Sequence, residues 1–161
     1  MKIKISISKP YKKWNIQKDI TRKHISNVLE KVLLFHKNLQ LNSTELSILL
    51  TNDLEISELN SLHRKQEFPT NILSFPESDE ILYKKNISQK FLYLGDLALS
   101  YDKILKESQE RNISFYNHFT HLIIHGILHL LGYDHEKESE AREMESLEVD
   151  LLKTFDIPTP Y

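Results

Sequence analysis

HGILHLLGYDH, residues 125–135, sets three histidines on a short apolar run and places a glycine between the second and third. Its apolar spacing continues a helical pattern over residues 114–131. On such a helix His125 and His129 lie one turn apart on the same face, where two imidazoles can share one tetrahedral metal ion. His135 follows six residues later, too far along for the same helix to present it to that ion. Gly132 resolves the difficulty. A glycine just past a helix end takes the left-handed conformation and reverses the chain, so Tyr133, Asp134 and His135 swing back toward the first pair. Three protein ligands leave a fourth position open, the pattern of a catalytic zinc site. The plainer alternative is a core helix whose histidines are hydrogen-bonded side chains.

Extended toward the N-terminus, the same helix carries His118 and His121. At 100° per residue, positions 118, 121, 125 and 129 fall within roughly 80° of one another. Phe119, Leu122, Ile123, Ile127 and Leu130 lie elsewhere on the helix. His118 and His121 either line a groove leading to the metal or form a polar helix face. Asp134 either orients a ligating histidine or shapes the turn.

The histidine and glycine spacing matches H-E-x-x-H-x-x-G-x-x-H of the metzincin proteases, whose glutamate is the general base. Here Gly126 stands in the glutamate's place, which argues against peptide hydrolysis by that route. Three neutral imidazoles leave the full +2 on the ion, a site suited to an anionic substrate such as a phosphodiester.

Outside this stretch, KIKISIS (2–8) alternates as a half-buried strand, and residues 17–36 have helical spacing. ELSILLTN (45–52) reads as a strand and ISELNSLHRKQ (56–66) as a short helix. TNILSF (70–75), bounded by Pro69 and Pro76, reads as an edge strand. Residues 77–89 read as a polar loop, and 91–100 as a strand interrupted at Gly95-Asp96. Helices are expected at 101–111, 114–131 and 137–154. In the last, EKESEAREMES reads as a solvated acidic face over a Leu/Met stripe and could meet a protein partner. The order of elements predicts an α+β fold over residues 1–161 as a single small domain. Its sheet is mixed and mostly parallel, of about four strands, flanked by helices around the central histidine-bearing one.

The 161 residues are 40% apolar, enough for a core, and contain no cysteine. Disulfides and thiolate chemistry are therefore excluded, and any metal must be held by His, Asp or Glu. No signal peptide and no membrane-spanning run is evident, so a cytoplasmic protein is expected. The net charge of −2 conceals an asymmetry, because residues 1–40 carry ten Lys/Arg against Asp19 and Glu30, leaving that segment at +8 and the remainder at −10. This describes either two differently charged solvated faces or a basic patch for an anionic partner.

Together, HGILHLLGYDH, ELNSLHRKQEFPTNILSFP (58–76), YLGDLALS (93–100) and AREMESLE (141–148) resemble, in the same order, the motifs of the YbeY family of bacterial single-strand-specific metallo-endoribonucleases. The resemblance spans residues 45 to 155. TNILSF is often TDVLSF in relatives, and Lys65 replaces the glycine that follows the arginine there. The resemblance implies that His125, His129 and His135 bind one Zn2+ per chain. It further implies that Arg64 is a functional arginine facing the same cleft and that TNILSF borders the substrate groove. Arg64 and His125 are thus the candidate catalytic residues. The implied substrate is single-stranded RNA, above all ribosomal RNA during small-subunit 3′-end maturation and ribosome quality control. Implied partners are the ribosome or ribosome-associated proteins, with neither membrane nor DNA. On this reading the zinc polarises a phosphoryl oxygen or a water, and Arg64 grips the phosphate. The general base is unassigned, and either water or a ribose 2′-hydroxyl attacks. Two other readings stand beside it: a metzincin-like zinc peptidase or other metallohydrolase, and a ribosome-associated binding protein with a structural zinc.

Overall fold

The computed structural model describes residues 1–64 and 70–161, with Arg64 described by its backbone alone. The strands are β1 (Lys2–Ser8), β2 (Leu39–Thr51), β3 (Ile72–Pro76) and β4 (Ile87–Ser100). The α-helices are α1 (Arg22–Leu34), α2 (Asp53–Arg64), α3 (Tyr101–Glu110), α4 (Phe115–Leu130) and α5 (Glu138–Lys153). The sheet order is β1-β2-β4-β3. β1 and β4 run parallel to β2, and β3 is antiparallel to β4 at the edge. This is the α+β architecture with a mixed, mostly parallel sheet that the order of elements predicts.

α4 forms the middle of the molecule because it is apolar almost all round. Phe119, Ile123, Ile124, Ile127 and Leu128 are fully buried, each contributing roughly 1.5–3 kcal/mol through the area it removes from water. Gly126 allows the close approach to the sheet: a Cβ there would lie 2.8 Å from Ile72 Cδ1 and 2.9 Å from Leu97 Cδ2. The opposite face of the sheet has a smaller apolar cluster, with Ile56 of α2 on Leu73 and Ala98.

Several elements depart from the sequence expectation, α2 among them, which begins at Asp53 rather than at residue 56. α1 begins at Arg22 rather than at residue 17, with Thr21 accepting from the His24 N–H as its cap. Ahead of it, Lys12–Ile16 form a 3-10 turn that drives Trp14 into the core, where its Nε1 donates to Thr51 O at 2.9 Å. β2 and β4 are longer than expected because Leu39–Leu41 pair with Ile87–Gln89 ahead of the runs read from the sequence. β4 is also not interrupted at Gly95-Asp96. Glu45 pairs with Tyr93 and Leu46 with Gly95, so Leu94 is accommodated in a bulge and the strand continues. Gly95 takes φ +136°, and a Cβ there would strike the carbonyl oxygen of Phe75. In the polar loop, Leu82 is buried in a short 3-10 turn (Leu82–Lys84) stapled by Asn38, whose Nδ2 donates to Lys85 O at 2.6 Å.

Candidate metal centre

The centre is built at the C-terminal end of α4. Gly132 adopts φ +103°. Its N–H donates to His129 O and the Tyr133 N–H to Leu128 O, both at 3.0 Å. This pair of reversed bonds ends the helix and turns the chain back. The turn is pressed against the loop before β4: a Cβ on Gly132 would lie 2.8 Å from Ile81 Cα, and the Tyr133 ring stacks on Tyr83 at 3.7 Å. The result is the convergence that the glycine predicts. One nitrogen from each of His125, His129 and His135 lies within 4.8 Å of the others.

The hydrogen bonds assign the tautomers of the first two rings. His125 Nδ1 donates to Glu148 Oε1 at 2.8 Å, and His129 Nδ1 donates to the backbone carbonyl of Tyr133 at 2.9 Å. A carbonyl and an ionised carboxylate only accept, so both protons sit on Nδ1 and both Nε2 atoms are bare lone pairs. Those two Nε2 atoms face each other at 3.0 Å. Two facing lone pairs repel unless a cation lies between them. Metal–nitrogen bonds of about 2.0–2.1 Å at tetrahedral angles put ligand nitrogens roughly 3.3 Å apart, so the donor set fits zinc. Burial, then the neighbouring His125, push His129 down to about 4, against the hydrogen bond to Tyr133. Its ring is therefore neutral, as a ligand must be, at physiological pH.

Glu148 is the functional residue that sequence reasoning missed. The acidic face expected of the last helix does include the exposed Glu138, Glu143 and Glu145, but Glu148 is 0% exposed. Besides His125, its carboxylate accepts from His121 Nε2 at 3.1 Å and from the Tyr161 hydroxyl at 2.8 Å. Burial pushes this carboxyl up, but the hydrogen bonds and charges of His121 and His125 outweigh it and hold it down at about 2. A carboxylate on the far nitrogen of a ligating histidine fixes the ring and raises its basicity. The signal was present in the sequence: Met144, Glu148, Leu151 and Leu152 share one helical face, and a glutamate on an apolar stripe needs a partner.

The histidine stripe of α4 divides in two. His121 joins the centre through Glu148, whereas His118 is buried and donates from Nε2 to Glu107 Oε1 at 2.9 Å. Asp134 shapes the turn, accepting from the His135 N–H at 2.7 Å. The groups orienting His125 and His129 are instead Glu148 and the Tyr133 carbonyl.

The three histidines open onto a cleft of about 800 Å³. One wall is Thr70, Asn71, Ile72 and Ser74 of the TNILSF segment with the Pro76 that follows it, and the other runs from His125 and His129 to Gly132–Glu136. Arg64 ends α2, and its side chain, like all of Lys65 and Glu67, lies outside the described residues. The missing glutamate has a packing reason, since position 126 is turned to Ile72 and Leu97. Among the described residues no helix is long and apolar enough to cross a membrane.

Residues 7–156 match the family described as Endoribonuclease YbeY. A relative, Endoribonuclease YbeY of Chelativorans sp. (strain BNC1), is 44% identical over 116 residues, covering 72% of this chain and 69% of its own length. The solution structure of TM1509 from Thermotoga maritima is similar in fold, with a TM-score of 0.57 at 23% identity, covering 96% of this chain and 91% of that one.

Proposed function

Since the chain belongs to the YbeY endoribonuclease family, we propose that it is a zinc-dependent, single-strand-specific endoribonuclease of ribosomal RNA processing. Its role in the cell is small-subunit 3′-end maturation and ribosome quality control, in the cytoplasm, on the ribosome or with ribosome-associated proteins. The observation that carries the metal assignment is the pair of Nε2 lone pairs facing at 3.0 Å at the base of an open cleft. Zinc supplies Lewis acidity there toward a phosphoryl oxygen or a water.

The chain's own residues do the rest. Glu148 and the Tyr133 carbonyl hold His125 and His129 in the ligating tautomer, and Gly132 delivers His135. With no carboxylate among the three ligands, the ion keeps its charge for an anionic phosphodiester. Arg64 binds the phosphate through its guanidinium and stabilises the charge that develops on it. The strand lies along the Thr70–Pro76 wall, and the basic segment of residues 1–40 adds salt-sensitive phosphate contacts. Residues 1–161 act as one catalytic domain. Gly126 disfavours the peptidase alternative, because no base occupies the protease position.

Metal analysis of purified protein, beside cleavage of single-stranded RNA, tests this reading. One zinc per chain is expected, with activity lost in chelated but folded protein and restored by zinc. Arg64→Ala is expected to lower kcat/KM by about 10- to 100-fold, the value of a charged hydrogen-bonding pair. RNA cleavage unaffected by chelation rejects the metal assignment, and casein turnover without RNA turnover selects the peptidase.

A further inference from the structure

The cleft wall opposite the histidines holds one amide whose orientation is fixed from behind. Asn71 Nδ2 donates to Glu107 Oε1 at 3.0 Å, and the same oxygen accepts from His118 Nε2 at 2.9 Å. Burial pushes the Glu107 carboxyl up, but hydrogen bonds from His118 and Asn71, with the charges of His118 and Arg111, hold it below its ordinary value. An ionised carboxylate only accepts, so the Asn71 amide must turn its NH2 to Glu107 and cannot flip. Its backbone is held as well, because the Asn71 carbonyl accepts from the Ser100 N–H at 3.0 Å. The Oδ1 atom has no hydrogen-bond partner among the described residues and is not sealed from solvent. The hydroxyls of Thr70 and Ser74 on the same wall can rotate to give or accept. At Asn71 the bond to Glu107 fixes which end of the amide is the acceptor, with Oδ1 turned away from the carboxylate.

We infer that Asn71 is a substrate-reading residue whose Oδ1 accepts a hydrogen bond from a ribose 2′-hydroxyl of the RNA. The inference rests on the endoribonuclease reading above. A 2′-hydroxyl is a donor found on every ribonucleotide whatever its base, and it is missing from DNA. An acceptor of locked polarity therefore distinguishes RNA from DNA without reading sequence. Glu107 is its positioning residue, and His118 holds Glu107. This gives a buried histidine outside the metal centre a part in substrate choice.

The experiment measures binding separately from cleavage. Zinc-free, folded full-length chain is titrated by anisotropy with a labelled single-stranded RNA, the same strand bearing single 2′-deoxy substitutions, and strands with one base exchanged. Zinc-loaded protein is assayed for cleavage in parallel. One 2′-deoxy position is expected to weaken wild-type binding about five- to tenfold, the value of one neutral hydrogen bond, while base exchange leaves it unchanged. Asn71→Ala is expected to abolish that discrimination. Asn71→Asp sets two carboxylates against each other and is expected to abolish it too. In the double variant Asn71→Asp/Glu107→Gln the amide and the carboxylate have exchanged sides, an acceptor again faces the cleft, and discrimination is expected to return. Discrimination that survives Asn71→Ala, or fails to return in the folded double variant, overturns the inference. Sensitivity to base exchange in place of 2′-deoxy substitution overturns the ribose assignment in favour of a base donor. Wild-type protein that neither binds nor cleaves RNA refutes the endoribonuclease reading, a separate result.

Discussion

Two sets of histidines in this molecule look alike in sequence and differ in how their nitrogens are used. His24 and His36 are buried, and both nitrogens of each ring are satisfied by protein. His24 Nε2 donates to Thr120 Oγ1 at 2.8 Å while its Nδ1 accepts from the Tyr116 hydroxyl at 3.0 Å. His36 Nδ1 donates to Val32 O at 2.7 Å and its Nε2 accepts from the Tyr133 hydroxyl at 2.8 Å. At His125 and His129, by contrast, one nitrogen is locked by an acceptor and the other meets only another bare nitrogen. His24 and His36 thus close both of their bonds inside the fold. A ligating imidazole has its second bond left open by design of its surroundings.

The sharpest way to break the comparison is His129→Ala. Zinc content is expected to fall from one per chain toward none, and RNA cleavage by about a thousandfold, as several kcal/mol of Lewis-acid stabilisation are lost. Retained secondary structure by circular dichroism shows that the site is catalytic, and unfolding shows that the metal is structural. Glu148→Gln keeps the size but removes the charge behind His125, with an expected 10- to 100-fold loss of zinc affinity in a competition titration. His24→Ala probes the other set. It is expected to cost about 1–3 kcal/mol in denaturant unfolding by leaving the buried Thr120 and half-buried Tyr116 hydroxyls short of a partner, with zinc content unchanged.

The comparison also bears on pH dependence in the zinc-free protein. Burial lowers His24 and His36 below the ordinary histidine value, and burial with His125 takes His129 to about 4. The unfolded chain then binds more protons than the folded one between about pH 6.5 and 4, so stability is full above that window and falls as pH drops through it. Saturating zinc should flatten the His129 part of the curve, and an identical curve with and without zinc contradicts its assignment as a ligand.

What was legible in the sequence was local. Four-residue spacing and a helix-ending glycine specify His125, His129 and His135 with no knowledge of the rest of the chain. Ser100 and Ser114, capping α3 and α4, mark where those helices begin. Glu148 was not legible as a site residue because its burial depends on α5 packing against α4, a tertiary event, although its apolar neighbours hinted at it. The opening residues 87–89 of β4 were illegible for a different reason: backbone pairing holds them, and Ser88 and Gln89 are both exposed, whereas Leu39-Gln40-Leu41 does alternate in burial and carries a short strand signal. Trp14 was hidden by its 3-10 turn, which has no period to read.

Gly126 also bears on how such sites diverge. A metalloprotease base at this position is one codon away in principle, but its first carbon would already collide with Ile72 and Leu97. Gaining that carboxylate requires the ends of the Ile72 and Leu97 side chains to shift. The packing of α4 thus couples any base gained at position 126 to a rearrangement of Ile72 on the cleft wall and Leu97 on the sheet.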